Sequence, residues 1–360
     1  MEELVRKNIL RIMPYQAGKP IEETKRQLGL KDVIKLASNE NPLGVSPKAV
    51  AAIKKHLSQL NRYPDSSSFY LKRKLGKYFN LQPGQIIAGN GSDELIDVII
   101  KTFVEEDENI ITSEGTFLEY GIISQVNNRK IITAPLKYFK YDLGAIKKKI
   151  DRRTKLIFIS NPNNPTGTYV SQLELEEFMQ DLPEGVLLVL DEAYDTFVDT
   201  ADFPSSLSYI RDNNVIVMKT FSKAYGLAGL RIGCAFARPE LISAMEKVRQ
   251  PFNVNSLAQA AAVAALDDRQ FLKKTRKIVL EGKGYLYDGL TSLGLAYVPS
   301  VANFILVDVG RDSVLFFREM LKYGVIIRDM KQYGLKNFIR VSVGTKKENE
   351  RFIRVLKKVL

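Results

Sequence analysis

From residue 86 onward, short apolar runs alternate with stretches whose apolar positions recur every three or four residues. The runs 86–91, 110–112, 131–134, 155–160, 186–190 and 215–218 read as buried strands, and 117–126, 143–150 and 173–180 read as helices. Leu95, Ile96, Ile99, Ile100 and Phe103 add another helix just after the first strand. Such alternation predicts an α/β fold, a mostly parallel sheet covered by helices on both faces. Beyond an alanine-rich helix at 257–266 and a long charged helix at 269–290, the pattern changes. Short strands at 304–309, 325–328 and 338–343 surround a helix at 314–323, which reads as a smaller α+β domain. The expected division is an N-terminal arm over 1–35, a large domain over 36–255, and a small domain over 256–360 that packs with the N-terminal segment.

Composition narrows the picture mainly by exclusion. The 360 residues carry 45% hydrophobic and 26% charged side chains, an ordinary globular balance, and no apolar run reaches membrane-spanning length. One cysteine and one histidine leave no disulfide framework and no zinc site of the usual ligands, so no metal is expected. A net charge of +12 comes from scattered bases without interleaved aromatics, which gives no nucleic-acid or membrane motif. The expected location is the cytoplasm.

The candidate chemistry sits at strand exits, where ligands bind on sheets of this kind. After the strand at 215–218 comes TFSKAYGLAGLRIG (220–233), with three glycines around Lys223, Ser222 beside it and Arg231 eight residues on. A lysine amine held between a hydroxyl and a fixed cation suits Schiff-base chemistry on an aldehyde that carries a phosphate. The strand ending near residue 90 runs into GNGSDE, so Gly91, Ser92 and Asp93 offer helix N-terminal amides to an anion. The strand at 155–160 is followed by NPNNPTG (161–167), which is read as aiming the amides of Asn163 and Asn164 at the site. The strand at 186–190 ends in Asp191, with Tyr194 three residues later; a carboxylate there needs a cationic partner. Arg328 and Arg340 end two later strands and can grip an anion together. Each feature alone also has an ordinary reading: a surface lysine, a helix cap, a strand-end acid, a surface ion pair.

Together they resemble the fold-type I pyridoxal-phosphate aminotransferases, and within them the histidinol-phosphate branch. The resemblance rests on SNENPLG (38–44), RYPD (62–65), GNGSDE (89–94), NPNNPTG, DEAY (191–194), TFSKAYGLAGLRIG, PFNVN (251–255) and RVSVGT (340–345). PYQAGKP (14–20) and YGL (333–335) favour the branch. The resemblance implies pyridoxal 5'-phosphate bound covalently on Lys223, which then moves the substrate proton. Asp191 would hold the ring nitrogen protonated, Tyr194 and Asn164 would bond the ring oxygen, and Phe117 would stack on the ring. Gly91, Ser92, Asp93, Ser222 and Arg231 would hold the phosphate, with Tyr63 reaching it from the neighbouring subunit of a homodimer with composite active sites. Arg340, Arg328, Tyr15 and Asn39 would bind substrate. The implied reaction is amino transfer between L-histidinol phosphate and 2-oxoglutarate, a step of histidine biosynthesis. Aromatic amino-acid transamination and threonine-phosphate decarboxylation remain as alternatives on the same frame. One departure is Glu114-Gly115 ahead of Phe117, where relatives often carry proline.

Overall fold

The computed structural model describes residues 4–16, 18–211 and 213–360; residues 1–3 and 17 of the expected arm lie outside them. A seven-stranded sheet forms the centre. Its order is Ile86–Gly89, Gly233–Phe236, Val215–Thr220, Leu187–Asp191, Thr154–Ser160, Asn109–Ser113, Lys130–Ala134. All are parallel except Gly233–Phe236, which runs antiparallel to both its neighbours. That strand starts at Gly233, the last residue of the glycine-rich stretch read from sequence as loop, and runs on past it. Only four residues long, it gives too short a run to separate from the loop by pattern.

Near-continuous apolar strands form here because both faces are covered. Leu188 and Leu190 enter one buried cluster, while Leu187 and Val189, pointing the other way, enter the second. Ser160 is registered opposite Asp191, and Asp191 opposite Met218, so three strands deliver their functional loops at one edge.

A second sheet of four antiparallel strands runs in the order Tyr297–Val298, Phe304–Asp308, Phe338–Ser342, Arg328–Asp329. The helix Arg269–Ser292 leads to it from the large layer. The strand expected over 325–328 is two strands. Val325–Ile326 pairs in parallel with Ile34–Lys35, and Arg328–Asp329 pairs with Phe338–Ser342. The pairing with 34–35 ties the end of the N-terminal segment to the smaller sheet. Ahead of it, the helix Ile21–Leu28 follows Pro20, and Ile21 and Leu30 pack with Val33, Leu321 and Ile326.

The helix Phe69–Phe79 has no counterpart in the sequence reading. Leu71 and Leu75 bury one face, but Gly76 interrupts the pattern. A Cβ at Gly76 would stand 2.6 Å from the Leu81 carbonyl oxygen, so close backbone packing explains the glycine.

Candidate active site

The 220–233 stretch turns away from the sheet edge at Thr220, and its lysine points into a cavity of about 290 Å³. Lys223 Nζ donates to the Ser38 carbonyl at 3.1 Å and stands 5.8 Å from the centre of the Tyr194 ring. Burial, with the Arg340 charge adding to it, lowers its pKa to about 8. A buried amine this close to neutrality is chemically available as a nucleophile or a base.

Asp191 lines the same cavity and is 4% exposed. Its Oδ2 accepts from the Tyr120 hydroxyl at 2.8 Å and its Oδ1 from the Ala193 amide at 3.2 Å. Among the described residues no cation lies within ion-pair distance of it. Desolvation therefore pushes its pKa up to about 6, against the pull of the Tyr120 hydrogen bond. A buried carboxylate with two neutral donors and no cation fits a cationic partner entering the cavity.

Tyr120 was not singled out from the sequence. It lies on the helix Glu119–Val126, stacks on Phe158 at 4.7 Å and meets Phe117 edge-on at 5.6 Å. In sequence it reads as an ordinary core aromatic; its spacing of three from Phe117 was the only available signal.

At the other end of the cavity, the helix Gly91–Phe103 presents its N-terminus with no side-chain cap from Asn90. Gly91 adopts φ +81°, and a Cβ there would stand 2.5 Å from Arg231 Nη2. Only glycine lets the arginine come this close to the helix start. Arg231 Nη2 also meets Asp93 Oδ2 at 3.0 Å. With Ser92 and Ser222 lining the cavity nearby, these donors form an anion cup. Gly91 itself, expected from the sequence to offer its amide, does not line the cavity.

The opposite wall is basic. Arg328 and Arg340 are registered directly opposite each other on adjacent antiparallel strands and are 7% and 4% exposed. Like charges so placed destabilise a sheet. Neither has a carboxylate partner among the described residues, and Arg340 Nε is buried without any partner. Arg340 Nη2 donates to the Ala37 carbonyl at 2.8 Å and Nη1 to Asn164 Oδ1. Arg328 lies over the ring of Tyr15 at 5.3 Å. This pair fits an incoming anion.

The cavity thus brings together Tyr15, Asn39, Ser92, Asp93, Phe117, Asn164, Asp191, Tyr194, Ser222, Lys223, Arg231, Arg328 and Arg340. Besides Gly91, two sequence-derived residues stand apart. Tyr63 is 82% exposed, stacked on Phe252 at 4.7 Å, and does not line the cavity. Asn163, expected to aim at the site, is turned away from it: Thr116 Oγ1 donates to its Oδ1, and its amide donates to the Thr166 hydroxyl and the Gly115 carbonyl. The loop spends that side chain on its own shape. Gly115 has φ +57°, which proline cannot adopt, so the departure at 114–115 comes with its own backbone conformation.

A larger open cleft of about 1030 Å³ lies elsewhere, between the 137–147 segment and the long linking helix. Lys140–Glu174, Lys147–Asp181 and Lys283–Asp199 are already paired around it, so it lacks the converging free groups of the smaller cavity. Among the described residues no helix is long and apolar enough to cross a membrane.

Comparison with known proteins agrees with the geometry. The family model "Aminotransferase class I and II" matches residues 31–356. The chain is 48% identical over 357 residues to the histidinol-phosphate aminotransferase of Moorella thermoacetica, covering 99% of this chain and 92% of that one. It is 45% identical to histidinol-phosphate aminotransferase 2 of Carboxydothermus hydrogenoformans, covering 99% of each. Among solved structures, the histidinol-phosphate aminotransferase of Sinorhizobium meliloti in complex with pyridoxal-5'-phosphate is similar at TM-score 0.90 and 30% identity, covering 99% of this chain and 97% of that one.

Proposed function

Because the chain belongs to the class I and II aminotransferases, we propose that it transfers the amino group of L-histidinol phosphate to 2-oxoglutarate with pyridoxal 5'-phosphate, giving imidazole-acetol phosphate and L-glutamate. One observation carries the reading. A single 290 Å³ cavity joins a lysine of pKa about 8, a cation-free buried carboxylate, a helix-end anion cup and two opposed buried arginines. The cup suits the cofactor phosphate, Asp191 its ring nitrogen, and Phe117 its ring face. When bound, pyridoxal phosphate supplies the electron sink that lets a proton leave the amino-bearing carbon.

The remaining work falls to the chain. Lys223 holds the cofactor covalently and, once released, carries the proton as general base and then general acid. Its pKa near 8 keeps a useful neutral fraction at working pH. Asp191 stays ionised by pairing with the ring nitrogen's positive charge. Tyr194 and Asn164 donate to the ring oxygen. Arg340 and Arg328 bind the phosphate of one substrate and the carboxylate of the other in turn, aided by Tyr15. A single basic wall serving both anions suits a reaction in two separate halves.

The test is a half-reaction without keto acid: the loaded protein is mixed in turn with histidinol phosphate, phenylalanine and threonine phosphate, and the cofactor spectrum is followed. Fast conversion to the amine form with histidinol phosphate is expected. Faster conversion with phenylalanine would move the protein to aromatic substrates, and carbon dioxide release from threonine phosphate would make it a decarboxylase.

A pH dependence follows from Lys223, because only the neutral amine attacks an aldehyde. The rate at which apoprotein takes up pyridoxal phosphate is expected to rise about tenfold per pH unit below pH 8 and to level off above it. Stopped-flow absorbance measures this directly; a flat profile from pH 6 to 9 would contradict the assignment.

The homodimer belongs to the same proposal. Leu57, Leu60, Tyr63, Phe69, Tyr70 and Phe252 are all exposed and cluster in or near the loop expected to cross between subunits. Exposed apolar groups on this scale mark an interface. Sedimentation is expected to give a dimer, and Tyr63→Ala to weaken cofactor retention about tenfold or more without unfolding the subunit. A fully active monomer would count against the composite site. The division into arm, 36–255 and 256–360 is also carried as a proposal, supported by the pairing of 34–35 with 325–326.

A further inference from the structure

Asn39 was expected to meet substrate, yet each of its polar groups is occupied within the protein. Its side-chain Nδ2 donates to the Tyr194 hydroxyl oxygen at 3.0 Å. Its Oδ1 accepts from the Ser342 hydroxyl at 2.9 Å, and its backbone amide donates to the same Ser342 oxygen at 2.8 Å. Its carbonyl accepts from Asn303 Nδ2 at 3.0 Å. The residue is 1% exposed and sits at φ +54°, a left-handed conformation that asparagine tolerates better than most residues.

These contacts have a direction. Ser342 lies on the strand Phe338–Ser342, two residues beyond Arg340. That strand is stitched to the 36–39 segment twice more, by Arg340 Nη2 to the Ala37 carbonyl and by the Ser342 amide to the Leu36 carbonyl at 2.8 Å. On its other side, the segment touches the reactive lysine through the Ser38 carbonyl and Tyr194 through Asn39. The Ser342 hydroxyl fixes which way the Asn39 amide faces, leaving its NH₂ toward the phenol. The phenol oxygen then accepts from Asn39, and its own proton is free for the cavity that Tyr194 lines. A flipped amide would take that proton instead.

We propose that Asn39 is a positioning residue, linking the strand of the substrate arginine to Tyr194 and keeping the Tyr194 proton turned toward the cofactor's ring oxygen. The inference rests on the reading of Tyr194 given under Proposed function. Burial raises the phenol's pKa, Arg340 and the Asn39 hydrogen bond pull it down, Asp191 and Asp93 add to the rise, and Lys223 stands over the ring, so Asn39 acts within the field of these four charges.

The experiment is a pH titration of the bound cofactor's absorption in Asn39→Gly and Ser342→Ala. Glycine keeps the positive φ and removes only the amide, so folding is preserved where alanine would be strained. Weakening the donor to the ring oxygen destabilises its anionic form, so the band pKa is expected to rise by about half a unit to one unit in Asn39→Gly. A smaller rise in the same direction is expected in Ser342→Ala. The Asn39→Gly shift should vanish in a Tyr194→Phe background, where there is no phenol to orient. The dissociation constant of the cofactor from apoprotein should rise severalfold in Asn39→Gly. An unchanged band pKa accompanied by a higher KM for histidinol phosphate would overturn the inference and return Asn39 to direct substrate binding. A shift that persists without the Tyr194 hydroxyl would overturn it too. If the unsubstituted protein forms no cofactor band at all, the parent reading fails instead, and the two failures are told apart.

Discussion

Lys223→Ala is expected to lower kcat for the histidinol phosphate reaction by about 10⁴-fold or more while leaving the fold intact. The loss has two parts. A positioned general acid–base contributes about 10²–10⁴-fold, and losing the covalent anchor removes the pre-set geometry between cofactor and substrate amine. The fold should survive because the ammonium is a burden there: burial lowers its pKa to about 8, and among the described residues its one hydrogen bond goes to a backbone carbonyl. Removing it relieves desolvation, so the apoprotein's melting temperature should hold or rise slightly. Lys223→Arg should be nearly as inactive, since guanidinium stays protonated and cannot act as a base. Rapid-mixing kinetics alongside apoprotein melting checks both halves. A variant with more than a few per cent of normal turnover would remove the lysine from the mechanism.

The lysine was legible because its surroundings are local in sequence. Strand, hydroxyl, glycines and arginine all fall within 220–233, and the same holds for Asp191 at its strand end and for the GNGSDE turn. What sequence could not supply were relations across long separations. Arg340 reaches Asn164 across 176 positions, and Asn39 reaches Ser342 across 303. Nothing in either local pattern distinguishes a substrate ligand from a strut, and the substrate role of Asn39 came from the resemblance alone. Asn163 and Asn164 are adjacent and chemically identical, yet the loop turns one inward to Thr116 and Gly115 and the other toward Arg340. Alternation of apolar runs gave the parallel strands readily. It missed Gly233–Phe236, whose antiparallel course depends on partners at 86–89 and 217–220 rather than on its own composition.

Asp191→Asn is expected to produce the second-largest loss, about 10²–10⁴-fold in kcat, together with much weaker cofactor binding. Removing one partner of a buried ion pair costs about 3–5 kcal/mol, and here the surviving partner would be the ring nitrogen's positive charge. Asparagine keeps the shape, so the effect reads charge alone. The same change should stabilise the apoprotein. The Asp191 carboxyl is raised to about 6 by burial. Below pH ~4 it is protonated in both folded and unfolded states and costs nothing. As pH rises through 6 the folded state must ionise it without a cation, and about 3 kcal/mol of stability is lost. Wild-type apoprotein should therefore lose melting temperature between pH 4 and 7, and Asp191→Asn apoprotein should lose less. Adding pyridoxal phosphate should restore the wild type strongly and the variant weakly, because only the wild type has a charge waiting to be paired. Tyr120→Phe gives the graded case. It keeps the ring stack on Phe158 but removes the hydroxyl that holds Asp191 ionised. The pH-dependent loss should then start at the same pH, near the unfolded carboxyl's value, but continue to a higher pH and be larger. If the Asn variant proved no more stable than wild type at pH 7, Asp191 would not be the unpaired charge described here, and its partner in the cavity would not be a cation.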